Sequence, residues 1–233
     1  MRFLLILAVL SAVSLPSLAQ TQICGSEFVE LSNGTITISP TGDDDTNNLQ
    51  CAFDEAVSNG YPIISLTAGD FSIYSDIVVG QFTGKFTGAG LNRTLINAKG
   101  SFLGSGHIKL IASNVEISLM AFTAQPDGED AIISITRPDD CEQRVTRTVI
   151  DRVKMEFVFE DGAAYDYNLG RYIDASNNCD DPTLGYLSVN RSEFRGAGRG
   201  INIYGYGGGA KMEFTNNVFW GGVAVTALGD KPE

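Results

Sequence analysis

The stretches Pro138-Asp139-Asp140-Cys141 and Cys179-Asp180-Asp181-Pro182 mirror each other. Each sets two adjacent carboxylates beside a cysteine. A Cys141–Cys179 disulfide would bring Asp139, Asp140, Asp180 and Asp181 together. Calcium accepts six to eight oxygens from flexible loops, which suits this composition. Without a cation, the four carboxylates must splay toward water, near Arg137 or Arg144. A second set of residues is Lys154, Glu156, Glu193, Arg195 and Trp220. Glu156 and Glu193 are the residue type that hydrolysis needs as a pair, about 5 to 9.5 Å apart. Arg195 and Lys154 can hold carboxylates or hydroxyls, and the Trp220 ring offers an apolar face to stack on.

Such residues act only if the backbone brings them together. Four segments align without gaps: VEISLMAFTA from Val115, TVIDRVKMEF from Thr148, LSVNRSEFRG from Leu187 and MEFTNNVFWG from Met212. Their third position is apolar (Ile117, Ile150, Val189, Phe214), and their fourth is small or polar (Ser118, Asp151, Asn190, Thr215). Their eighth is apolar again (Phe122, Met155, Phe194, Phe219). Further β runs lie between them, among them AIISI at 131–135, RYIDA at 171–175 and GINIYG at 200–205. A constant motif at variable spacing suits a solenoid, in which each coil buries its apolar face by stacking on its neighbours. An antiparallel sandwich would explain the strands but not the aligned motif. The fourth position is expected to form a column in a tight turn. Alternation along the strands turns the residues flanking the apolar eighth position toward solvent. That places Lys154 beside Glu193, and Glu156 beside Arg195 and Trp220. An ordinary surface ladder of opposite charges would look the same.

The N-terminal half has a different character. Residues 1–19 read as a secretory signal peptide: Arg2, an apolar run from Phe3 to Val13, then Ser17 and Ala19 at cleavage spacing. Residues 20–233 follow as one domain, secreted or periplasmic. One helix is expected at about 45–59, capped by Asp45 or Thr46 and ended by Gly60. Cys24, Cys51, Cys141 and Cys179 allow three pairings. The expected ones are Cys24–Cys51, pinning the mature N-terminus to this helix, and Cys141–Cys179. Zinc is disfavoured, since no Cys-x-x-Cys spacing occurs and His107 is the only histidine.

The segment LSVNRSEFRGAGRGINIYG resembles the repeats of right-handed parallel β-helix proteins of the pectate-lyase-like superfamily. SPTGDDDTNNLQCAFDEAVSNG, PIISLTAGDFSIYSDIVV and FTGKFTGAGLNRTLI are similar to the cap helix and first coils of that superfamily. The matching landmarks are Asp45-Thr46, Ala68-Gly69 and Gly88-Ala89-Gly90. The resemblance implies an all-β fold: a single-stranded right-handed parallel β-helix with an N-terminal capping helix. It also implies an extracellular polysaccharide, uronate-containing among others, as the partner. Lyase chemistry in the superfamily uses a Lys or Arg base with a cation, often calcium, on the uronate carboxylate; Lys154 and Arg195 are the candidates here. The best-known catalytic patterns of the superfamily are missing, so no catalytic residue carries over by position. A non-catalytic binding, adhesion or structural module of the same fold is the alternative.

The formal charge is −12, which repels nucleic acid and anionic membranes. No segment after residue 19 reads as a membrane span, so no membrane insertion is expected. The sequence stops soon after a strand, which leaves three expectations open: the chain is a fragment, an oligomer or partner covers the C-terminal end, or charge at Asp230, Lys231 and Glu233 blunts it. Asp43, Asp44 and Asp45 precede the helix and read as capping residues rather than a metal site. His107 reads as a loop or strand-edge histidine rather than a member of a Ser-His-Asp arrangement. The sequons at Asn33, Asn92 and Asn190 matter only in a eukaryotic secretory pathway.

Overall fold

The structure is a computed structural model. It describes residues 20–99, 107–125, 131–136, 147–158, 170–176, 185–196, 200–204, 211–221 and 225–228. The chain opens with β1 (Thr21–Gln22), β2 (Val29–Ser32) and β3 (Thr35–Ile38), then α1 (Thr46–Asn59). Next come β4 (Ile63–Leu66), β5 (Gly69–Ile73), β6 (Ile77–Gly80), β7 (Thr83–Thr87), β8 (Thr94–Ala98) and β9 (Ile108–Ile111). The long strands β10 (Asn114–Ala124) and β12 (Arg147–Phe157) enclose β11 (Ala131–Thr136). After them run β13 (Arg171–Ser176), β14 (Tyr186–Asn190), β15 (Glu193–Arg195) and β16 (Ile201–Tyr204). The last are β17 (Lys211–Thr215), β18 (Val218–Trp220) and β19 (Val225–Leu228).

Among the described residues the fold is dominated by long parallel sheets, with one helix. Among the described residues only β1–β2 and β2–β3 pair antiparallel. A thirteen-stranded sheet contains two rows joined through β10 and β12. One row runs β4-β7-β10-β12-β14-β17, and the other β5-β8-β10-β12-β15-β18. A separate six-stranded sheet runs β6-β9-β11-β13-β16-β19. The chain visits the three rows in the same cyclic order on every pass, an arrangement compatible with a solenoid.

The aligned motif is the register of this stack. Ile117 pairs with Ile150, Ile150 with Val189 and Val189 with Phe214. Phe122, Met155, Phe194 and Phe219 pair likewise in the second row. These columns point inward, so Ile117, Ile150 and Val189 are fully buried. Burying a side chain of this size is worth about 1.5–3 kcal/mol.

The bend between the two rows lies one residue beyond the expected column. Leu119, Arg152, Arg191 and Asn216 all have left-handed backbone, with φ of 59°, 54°, 50° and 57°. Such geometry costs a non-glycine residue about 1–2 kcal/mol, and the stacked strands on either side hold it. In the earlier passes glycine does this work. Gly69 and Gly90 both have φ of 143°, and each donates its N–H to a backbone carbonyl of the next coil, Arg93 and Leu119 respectively.

Helix α1 follows its sequence period, burying Leu49, Ala52, Phe53 and Ala56, while Val57 is exposed. Gly60 ends it in left-handed conformation and donates its N–H to the Ala56 carbonyl. The capping differs from expectation. Asp44, not Asp45, accepts the Thr46 N–H at 2.9 Å. The buried Asp45 carboxylate is drawn into the fold by the Thr41 and Ser72 N–H groups, at 2.8 and 2.9 Å. Cys24 and Cys51 are disulfide-bonded, with Cα atoms 5.9 Å apart. Among the described residues no helix is long and apolar enough to cross a membrane.

Candidate functional site

The second row carries two columns that flank its core residues, one mixed and one mainly polar. Alternation puts Phe71, Ile96, Phe122, Met155 and Phe194 in the core and turns their flanking residues to the other face, where Ser72 and Ala121 are nonetheless buried. One column runs Asp70, Leu95, Ala121, Lys154, Glu193, Val218. The other runs Ser72, Asn97, Thr123, Glu156, Arg195, Trp220. At about 4.8 Å per rung each spans roughly 24 Å. Lys154 thus lies beside Glu193, and Glu156 beside Arg195, which lies beside Trp220.

The charges pair along the strands as well as across them. Lys154 Nζ donates to Glu156 at 2.5 Å, and Arg195 Nε donates to Glu193 at 2.6 Å. Both pairs are i, i+2 neighbours on one strand, which alternation places on the same face. With the cross-strand register they make a checkerboard in which every charge borders two opposite ones. The Arg195 guanidinium also lies 6.0 Å from the Trp220 ring centre, within cation–π reach. Trp220 is 59% exposed, the most exposed large apolar side chain among the described residues. Below the charged squares, Thr123 donates to Asn97 at 2.5 Å.

Two grooves flank these columns. One of about 310 Å³ is lined by Asp70, Asn92, Arg93, Leu95, Thr123, Lys154 and Glu156, among others. The other, about 440 Å³, is lined by Asn97, Lys99, Thr123, Gln125 and Val158 with neighbouring residues. Thr123 contributes to both. Behind the face, Tyr172 packs against Phe157 and Phe194 at 4.9 and 5.2 Å. Burial, with the Glu156 charge nearby, pushes its phenol well above the ordinary tyrosine range. Tyr172 is therefore a neutral donor, to the Gly196 carbonyl at 3.2 Å.

A polar cluster that sequence reading did not single out lies on the six-stranded sheet. Ser134, Asp174 and Asn202 occupy one register position on β11, β13 and β16, and all three are buried. Asp174 accepts from Arg171 at 3.1 Å and from Asn202 at 3.0 Å. Aligning AIISI, RYIDA and GINIYG would have brought them together.

The acidic loop residues Asp139, Asp140, Asp180 and Asp181, with Cys141 and Cys179, lie outside the described residues. Among the described residues no group of three or more His, Cys, Asp or Glu could hold a metal ion. His107 is 4% exposed, and burial pushes its imidazole down to about 4. Its backbone joins two coils: His107 N–H donates to Ala131, and its carbonyl accepts from Ile77. Asp151 and Asn190, in the column expected at a tight turn, pair with side chains. Asp151 accepts from Arg191 at 2.7 and 2.9 Å, from Arg152 at 3.0 Å and from Asn190 at 3.4 Å. Comparison with protein-family models, with curated proteins and with solved structures finds no match to this chain in any of the three.

Proposed function

We propose that this chain is a right-handed parallel β-helix protein of the pectate-lyase-like type that binds an extracellular polysaccharide along the outward face of β5, β8, β10, β12, β15 and β18. The observation that carries this reading is Trp220, exposed at the end of a column that continues through Arg195, Glu156, Thr123 and Asn97. A sugar ring stacks on the indole, while amide, hydroxyl and charged groups at each rung hydrogen-bond successive hydroxyls or carboxylates. The Cys24–Cys51 disulfide and the signal-like residues 1–19 support an extracellular or periplasmic setting.

A second reading, cleavage, draws support from the groove that Lys154 and Glu156 line. In a lyase, Lys154 would abstract the proton beside a uronate carboxylate that Arg195 or calcium neutralises. In a hydrolase, Glu156 and Glu193 would divide acid and base roles. Binding is the better-supported reading because Lys154 and Arg195 are each already held by a glutamate. A calcium contribution from Asp139, Asp140, Asp180 and Asp181 belongs to the same proposal.

Trp220 is the only tryptophan, so its fluorescence reports on this face alone. Pectate, alginate, glycosaminoglycans and neutral glycans are titrated with calcium or with chelator. A saturable change with at least one glycan, lost in Arg195→Ala, is the expected result. No change across the panel would sink the binding reading. Ultraviolet absorbance from unsaturated uronide, or new reducing ends without it, would identify lyase or hydrolase activity.

A further inference from the structure

We infer that the glycan held on the outward face of the second row, given the binding reading of that face, is a neutral polysaccharide rather than an acidic or basic one. The four charges that β12 and β15 place there cancel. Lys154 and Glu156 are 2.5 Å apart, and Glu193 and Arg195 are 2.6 Å apart. The register sets Lys154 beside Glu193, and Glu156 beside Arg195. The groove of about 310 Å³ repeats the balance, with Asp70 and Glu156 against Arg93 and Lys154. The rungs below carry the neutral Asn97 and Thr123, joined at 2.5 Å. The neighbouring groove adds one cation, the exposed Lys99, in a chain whose formal charge is −12.

A charged glycan gains little from such a face. A uronate or sulfate drawn to Arg195 meets the Glu193 and Glu156 carboxylates at neighbouring positions. An amine drawn to either glutamate meets Lys154 and Arg195 in the same way. Like charges set side by side oppose binding. The negative field of the whole chain repels a polyanion at longer range as well. A neutral pyranose makes a different demand, because each of its hydroxyls both donates and accepts. The ion pairs still offer both. Glu193 takes the Arg195 Nε–H, which leaves the other guanidinium N–H groups, and each carboxylate keeps lone pairs. Donors beside acceptors match adjacent hydroxyls, while the exposed Trp220 ring takes the apolar face of a sugar.

Trp220 fluorescence of the full chain tests this with alginate and pectate beside the same polymers after their carboxylates are reduced to alcohols, and with xylan, dextran and chitosan. Each is titrated at about 50 and 500 mM sodium chloride. At least one neutral polymer should saturate, with an apparent Kd that moves less than about twofold between the two salts. It should bind about tenfold or more tighter than any charged polymer. In Glu193→Gln, whose fold circular dichroism verifies, Arg195 loses its in-strand partner. The preference should then move about tenfold toward the acidic polymers and become salt-sensitive. Tighter binding of a charged polymer, weakened about tenfold by the higher salt, would overturn the inference and leave the binding reading standing. So would a Glu193→Gln preference unchanged from that of the parent chain. No response to any polymer would remove the binding reading, and the neutral ligand with it.

Discussion

At the first passes of the stack, α1 lays Phe53 edge-on against Phe82 and Phe86, with ring centres 5.5 and 5.1 Å apart. At the last pass Phe219 stacks on Phe194 at 4.7 Å and remains only partly buried. The same side-chain type thus meets packing on several sides at one end and chiefly on one side at the other. The N-terminal end is further closed by the Cys24–Cys51 bridge and by the antiparallel β1–β2–β3 hairpins. A parallel coil repeats its neighbour's needs, so whatever covers the first coil cannot be another coil. The helix and disulfide supply a different kind of surface there.

The largest expected effect is from Phe53→Ala. It empties a fully enclosed site and should cost about 3–5 kcal/mol. Phe219→Ala should cost less than half as much, because that ring is already partly hydrated. Urea unfolding of both variants measures the contrast, and equal losses would contradict it. Next, replacing both Cys24 and Cys51 with serine removes a cross-link spanning 27 residues. About 3 kcal/mol should be lost, with hydrogen-exchange protection falling first in α1.

A pH effect of similar size should come from His107, which joins β6, β9 and β11 in the middle of the stack. Its folded value of about 4 lies below the ordinary 6.5, so the unfolded chain takes up the proton first as pH falls. Stability is unaffected by this group above about pH 6.5 and declines as pH drops toward 4, by at most about 3 kcal/mol. His107→Gln should flatten that slope in denaturation measured from pH 7 to 4. The smallest effect on folding should be that of Trp220→Ala. It should change stability by no more than about 0.5 kcal/mol while abolishing the glycan response measured by calorimetry.

The sequence made the register of the later passes readable because each coil demands an apolar residue at the same two places. Aligning Phe122, Met155, Phe194 and Phe219 is equivalent to stacking them. The bend was read one residue early because Leu119, Arg152 and Arg191 are not turn-forming types. Their left-handed backbone is imposed by the strands around them rather than by local preference. The in-strand pairing of Lys154 with Glu156 and of Glu193 with Arg195 is not legible in the sequence. Register shows which residues are neighbours across strands, but not which neighbour a long flexible side chain selects. The Arg171–Asp174–Asn202 cluster joins residues up to 31 apart in number and shares no residue type along its column. Only a second alignment, of the runs between the motifs, could have drawn it out.

The repeated left-handed corner makes the molecule a ruler with marks about 4.8 Å apart. Each mark bends in the same way, so length can change by whole coils without redrawing the outline. Removing residues 148–186 would bring Ile117 onto Val189, Phe122 onto Phe194 and the Leu119 corner onto that of Arg191. The Asp151 carboxylate, which now gathers Arg152 and Arg191, would have no successor, and neither would that of Asp174, which holds Arg171 and Asn202. Those two acids are joints specific to their place, among rungs whose apolar positions are interchangeable.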